Sequence, residues 1–258
     1  MSKGQKRLGR GAAGWRPFEG SLTDSTFNTS VRTINSLLNF LVDANYIRNN
    51  PIKLIKNYSQ FTLDVNTHKY QVWAKMLETD EWEAVQTALE ELPDKTGKEI
   101  FKKIQTQFLF VLLYLLGLRI HEASNHPFNA FREENGQWWF FVKGKGGKLG
   151  HIPVHDKLLS FVKIYRLHFN LTPLPLADDS APLFLNSQGE ALQARQLYNL
   201  IKKLGAKAAL AFEDNPMKAN KLRKLSPHWL RHLSASHQDK AGIGGVMIQE
   251  NLRHASFQ

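Results

Sequence analysis

The sequence predicts a mainly α-helical protein with one small β-hairpin or sheet, an α+β fold in which a small helical unit precedes a larger domain. Apolar residues recur at helical spacing in several separated stretches. One short aromatic run is followed by a Gly-rich tip and a second apolar run. At 258 residues the chain exceeds one minimal core, and 42% hydrophobic with 22% charged residues is a composition that buries one.

Residues 1–20 are Gly-rich and basic, with no acidic residue before Glu19 and no hydrophobic period, so they are expected to form a flexible basic arm. From Ser25 to Ala44, Val31, Ile34, Leu37, Leu38, Leu41 and Val42 follow the spacing of an amphipathic helix, which Asn49, Asn50 and Pro51 are expected to stop. Residues 51–77 hold no sustained period and suit an interdomain connection. Glu78, Asp80 and Glu81, just ahead of Trp82, Val85 and Leu89, mark a new helix start, because carboxylates favour the positive end of the helix dipole. Ile100 to Leu118 is apolar on every side and reads as a central helix, with Arg119 and Glu122 at its end. Trp138–Val142 and Ile152–Val154, separated by Lys143–Gly150, form a hairpin signal with a basic, Gly-rich tip. Helical patterns follow at 156–168, 190–212 and 228–240, separated by a Pro-rich loop from Pro173 to Pro182 and by Asn215-Pro216.

Lys and Arg number 34 against 23 Asp and Glu, a formal charge of +11, so the protein's field attracts polyanions and nucleic acid is the leading partner. An anionic membrane surface is the minor alternative, since no basic amphipathic helix with a strong apolar face stands out. The absence of cysteine excludes disulfides and thiolate metal sites and suits a reducing cytosol. The longest apolar run, Phe108 to Leu118, is eleven residues, short of the roughly 18 to 20 that span a bilayer. Lys3, Lys6, Arg7 and Arg10 are followed by no apolar run, unlike a secretory signal. A cytoplasmic protein, in bacterial cytoplasm or nucleoid, is expected.

Three segments place basic side chains where a phosphate could be held. In Gly117-Leu118-Arg119-Ile120-His121-Glu122 an Arg emerges where a buried helix ends, and a surface pair with Glu122 at i+3 is the plainer reading. Lys143-Gly144-Lys145-Gly146-Gly147-Lys148 is a tip with three lysines, open to a ligand or simply solvated. It is no P-loop, because Leu149 and a strand follow Lys148. In the third, His228 and Arg231 lie one turn apart on a helix beginning near Ser226, and from Lys218 to His232 there are five Lys or Arg and no carboxylate. A solvated face mixes signs, so this stretch favours an anion, with Lys221, Arg223 and Lys224 joining Lys143 and Lys148 as DNA-contact candidates. Zinc binding by His228 and His232 competes weakly, lacking the Glu of HExxH and a third ligand. With His254 in Leu252-Arg253-His254-Ala255-Ser256, the set suits phosphoryl transfer without a metal: guanidiniums stabilise phosphate charge while Lys and His move protons.

In order, type and spacing these residues resemble the tyrosine recombinase, or phage integrase, family. Its G-L-R-x-x-E, G-K-G hairpin, Ser-Pro-H-x-x-R and late L-G-H segments correspond to Arg119 with Glu122, Lys145, His228 with Arg231, and His254. Phe27 to Pro51 also resembles the last helices of the family's helical core-binding domain, so the likeness runs from about Trp15 to the end. It implies an arm at 1–20, a partial core-binding domain at 21–70 and an integrase-like catalytic domain at 71–258. The implied chemistry is site-specific recombination of double-stranded DNA by strand cleavage and rejoining through a 3′-phosphotyrosine. Arg119 and Arg231 would clamp the phosphate, Lys145 protonate the leaving 5′-oxygen, His228 assist proton transfer, His254 bond a phosphate oxygen and Glu122 orient its neighbours. No cofactor or metal is implied, and the full-length protein is expected to act as a homo-tetramer on DNA. Three departures accompany the likeness. Arg253 replaces a Gly; the smaller domain lacks its first helices; and the family's tyrosine would fall at the fifth residue past Gln258. The chain as given is therefore expected to bind DNA without cutting it. A DNA-binding relative or fragment without cleavage, a type IB topoisomerase and a basic helical scaffold are the rival readings.

Overall fold

The computed structural model describes residues 22–54, 76–143, 147 and 149–245. The expectations for the basic arm, and for Lys145, Lys148, Arg253 and His254, fall outside these residues. The chain divides into two compact units, Met1–Gln71 and Val72–Gln258.

In the first unit, α1 spans Asp24–Asp43. It opens where Thr23 Oγ1 accepts the Thr26 N–H at 3.3 Å. It closes at Asn45, whose φ of 56° lets the Asn45 and Tyr46 N–H groups return to the Val42 and Leu41 carbonyls at 2.9 and 2.8 Å. The helix therefore stops before Asn49, because Asn tolerates the left-handed conformation that this closure needs. Asn50 instead folds back, its amide donating to the side-chain oxygens of Asn35 and Asn39 at 2.7 Å each.

The second unit is helical around one small sheet. Helix α2 (Thr79–Glu90) leads to α3 (Gly97–Leu116), α4 (Ile120–Asn125), strands β1 (Phe131–Glu134), β2 (Gln137–Lys143) and β3 (Leu149–Pro153), then α5 (Asp156–His168), α6 (Ala194–Ala208), α7 (Pro216–Arg223) and α8 (Pro227–Lys240). The sheet is antiparallel in the order β1-β2-β3. Phe131 pairs with Phe140 across β1 and β2, and Phe140 with Ile152 across β2 and β3. Those three side chains are buried, so the alternation of the strands sets one face of the sheet on the core.

Helix α3 is the axis of this unit. A reciprocal cap starts it: Thr96 Oγ1 accepts the Glu99 N–H at 3.3 Å and Glu99 Oε2 accepts the Thr96 N–H at 2.9 Å. Phe108, Leu109, Leu112 and Leu113 are fully buried, and the helix packs on α5 and α8. Its buried Gln105 donates to the Leu185 carbonyl at 2.8 Å while the Tyr165 hydroxyl accepts the Leu185 N–H at 3.0 Å, which satisfies a backbone group brought inside.

In this unit two boundaries and one helix differ from the sequence expectation. Helix α3 ends at Leu116, because Gly117 takes φ 56° and turns the chain out. The pattern at 190–212 becomes a helix only at Ala194, since Leu185 and Ala191 pair as a β-bridge ahead of it. Pro216 starts α7 instead of merely breaking the chain: proline lacks the N–H that a first turn would leave unpaired, and Asn215 Oδ1 caps the Lys218 N–H at 3.2 Å. No helix among the described residues is long and apolar enough to cross a membrane.

Candidate phosphate-binding site

The left-handed turn at Gly117 delivers Leu118 to the core and Arg119 to the surface, where Arg119 caps α4. Glu122, only 7% exposed, organises that turn. Its Oε2 accepts the Arg119 N–H at 2.8 Å and its Oε1 accepts Arg119 Nη1 at 3.1 Å. The contact uses one of five guanidinium donors, and the Arg119 side chain remains 45% exposed. The i,i+3 pair of the plainer reading exists, and its buried carboxylate aims the cation.

Arg231 sits in the opening turns of α8 and is 4% exposed. Its Nη1 donates to the Gly117 carbonyl, one of the acceptors that a helix end leaves unpaired. A second guanidinium is thereby drawn against the turn that carries Arg119, from a residue more than a hundred positions away. One turn earlier, His228 is exposed and its Nε2 lies 2.8 Å from Nε2 of His232. That contact needs one nitrogen protonated and the other not.

Lys143 closes β2 with an exposed side chain. Its backbone N–H donates to His126 Nε2 at 2.9 Å, and His126 Nδ1 lies 2.7 Å from the Glu122 carbonyl. His126 thus ties the hairpin to the Arg119 turn, a role no motif announced. Arg223 and Lys224 are exposed at and just beyond the end of α7, and Arg223 Nη1 donates to Asn220 Oδ1 at 3.1 Å.

Lys221 has a different partner from the DNA expected of it. Its ammonium lies 2.6 Å from Oε2 of Glu81, a carboxylate 1% exposed on α2. Lys218 likewise pairs with Glu78 at 2.8 Å and Asp80 at 2.5 Å. Those carboxylates hold the Lys218 ammonium well above the ordinary lysine value, its hydrogen bond to Asp80 contributing most. The run of unopposed positive charge from Lys218 to His232 is thus partly balanced by α2, acids remote in sequence. The same acids that the sequence placed at a helix start also bind a neighbouring helix.

Two tyrosines of the buried stretches stay protonated in their places. Burial pushes the Tyr165 phenol up to about 12, against the opposing effect of its hydrogen bonds. Burial also raises Tyr114, whose hydroxyl lies 2.6 Å from His237 Nδ1, and lowers His237, with Lys240 adding to the effect.

A helical unit around a three-stranded antiparallel sheet, with Arg231 bonded to the turn that carries Arg119 and His228 one helical turn before it, has an integrase-like fold. Residues 75–258 match the model of the phage integrase family, and the chain belongs to that family. It is 33% identical over 159 residues to a tyrosine recombinase XerA from Pyrococcus furiosus, covering 60% of this chain and 48% of that one. A tyrosine recombinase XerD from Staphylococcus epidermidis is 28% identical over 230 residues, 88% of this chain and 67% of its own. The chain therefore spans about half the length of the first relative and two thirds of the second. Among solved structures, the XerH site-specific recombinase in a pre-cleavage complex with difH substrate aligns at TM-score 0.54 and 25% identity, covering 70% of this chain and 47% of that one. The Tn1549 transposon integrase with circular intermediate DNA shares the fold at TM-score 0.60 and 18% identity, over 92% and 73% of the two chains.

Proposed function

We propose that this chain carries the catalytic domain of a site-specific DNA recombinase that cleaves and rejoins strands through a 3′-phosphotyrosine. The observation that carries the reading is the Arg231 contact with Gly117, which sets two guanidiniums on one turn with the imidazole of His228 a helical turn away. Planar guanidiniums bind non-bridging phosphate oxygens bidentately and stabilise the charge that builds on them during displacement.

In the proposed reaction a tyrosine hydroxyl attacks phosphorus and gives up its proton. An O–P bond forms to the tyrosine, the P–O5′ bond breaks and the 5′-oxygen takes a proton from Lys145. His228 assists transfer of the tyrosine proton to solvent, His254 bonds a phosphate oxygen, and Glu122 keeps Arg119 aimed. Reversal by a 5′-hydroxyl of a second strand restores a phosphodiester, so the bond energy is conserved and no nucleotide cofactor enters. Double-stranded DNA is the proposed partner, bound by a homo-tetramer of the full-length protein in the cytoplasm. Residues 21–70 are proposed as part of a core-binding domain, and Lys143, Lys148, Arg223 and Lys224 as backbone contacts. The net charge of +11 supports this assignment through release of condensed counterions.

A nicked suicide duplex tests the reading. The full-length gene product is expected to run as a DNA-linked band on a denaturing gel, and Arg119→Ala and Arg231→Ala to abolish it. Salt-independent DNA binding, or no linked band from the wild type, would overturn the proposal.

A further inference from the structure

We propose that His126 is a positioning residue for the proton-donating hairpin, holding the base of the Lys143–Gly150 tip at a set separation from the turn that carries Arg119. The inference rests on the reading of Lys145 as the proton donor. It adds a residue that none of the recombinase-like motifs contains.

The geometry leaves the imidazole little freedom. A backbone N–H donates to Nε2, so that nitrogen carries the lone pair. Nδ1 therefore bears the proton and donates it to the Glu122 carbonyl. The ring packs on Phe140 with centroids 5.7 Å apart, and the His126 backbone carbonyl accepts the Leu183 N–H at 3.1 Å. One connected path results: Arg119 guanidinium to Glu122 carboxylate, Glu122 carbonyl to the His126 ring, and that ring to Lys143, two residues before Lys145.

The sheet explains why a side chain is used here. Strand β1 pairs with β2 only as far as Phe140, so β2 runs on to Lys143 without a strand on that side. A side chain that takes the Lys143 N–H pins the strand end where sheet pairing has stopped. A general acid must come within hydrogen-bond reach of the leaving oxygen, and a shift of about 1 Å costs as much as about a hundredfold in rate.

The test compares two suicide duplexes in the full-length gene product, one with an ordinary scissile phosphate and one with a 5′-bridging sulfur. A thiolate, of pKa about 8.5, leaves without protonation, whereas an oxygen as weakly acidic as water, about 15.7, does not. His126→Leu is expected to slow covalent capture on the ordinary duplex by about tenfold to a hundredfold, to leave DNA affinity unchanged and to recover the wild-type rate on the sulfur duplex. His126→Gln, whose amide oxygen reaches the Lys143 N–H, is expected to stay near wild type on both. His126→Asn keeps only the Glu122 contact, is expected to behave as the Leu variant, and replaces it if the Leu variant does not fold. Equal slowing on both duplexes, or an unslowed Leu variant on the ordinary one, would overturn the proposal. Lys145→Ala runs alongside: its failure to recover on sulfur would overturn the proton-donor reading itself, separately from the His126 arm.

Discussion

Lys221→Met separates a structural lysine from a DNA-contacting one. Glu81 is 1% exposed; its Oε2 receives the Lys221 ammonium at 2.6 Å and the Glu78 N–H at 2.7 Å, and its Oε1 has no hydrogen-bond partner among the described residues. Removing one member of a buried ion pair strands the other's charge, at about 3–5 kcal/mol. The Lys221 side chain is 21% exposed, so water can follow it in and the lower end, about 3 kcal/mol, applies. For a unit of this size that lowers the melting temperature by about 6–12 °C. Urea denaturation of wild type, Lys221→Met and Glu81→Gln/Lys221→Met reads it directly. The double variant, with a neutral amide in place of the stranded charge, is expected to regain most of the loss. A salt titration of DNA binding should keep its slope in Lys221→Met and lose about 0.9 in Lys224→Ala. A Lys221→Met loss under about 0.5 kcal/mol would refute the buried-pair reasoning.

Acidification is the second perturbation. Burial, helped by Lys240, lowers His237 from its ordinary 6.5, so the unfolded chain takes up that proton at higher pH than the folded one. The contribution of His237 is therefore complete above about 6.5 and is lost as pH falls from there through the folded value. His237→Gln should flatten the wild-type stability curve in that window, and parallel curves would contradict this. Gly205→Ala should destabilise by about 1–3 kcal/mol despite alanine's better helix propensity. Its Cβ would stand 2.5 Å from the Leu222 carbonyl oxygen and 2.7 Å from Leu225 Cβ, where α6 meets α7, and a variant at least as stable as wild type would count against that close packing. Tyr165→Phe leaves the buried Leu185 N–H without its acceptor and should cost about 1–3 kcal/mol in thermal unfolding.

Much of the fold was legible because it follows local periodicity. The α1 stripe, the uninterrupted apolar α3 and the aromatic hairpin each carry their signal within one stretch of chain, and Arg119, His228 and Arg231 were visible as motifs. The end of α1 at Asn45 was placed too late and helix α7 at Pro216 was not expected, because each residue permits two backbone roles and neighbouring bonds choose between them. Strand β1 and helix α4 are too short for any period to announce.

Charge showed the same divide. The sequence by itself determined a basic, cysteine-free, mostly helical chain whose cationic motifs are ordered as in the phage integrase family, because composition and spacing are properties of the chain. Only the tertiary structure decided which cations share a turn and which are already paired. Lys218 to His232 reads as unopposed positive charge until packing brings Asp80 and Glu81 of α2, and Glu78 that caps it, against it. Arg231 becomes a partner of the Arg119 turn only because a helix end leaves the Gly117 carbonyl exposed to it. His126 looked like any histidine before a proline; its bonds reach an adjacent helix and a strand end seventeen residues on. Coulombic and hydrogen-bond energies depend on distance in space, and a linear sequence carries that distance only for near neighbours.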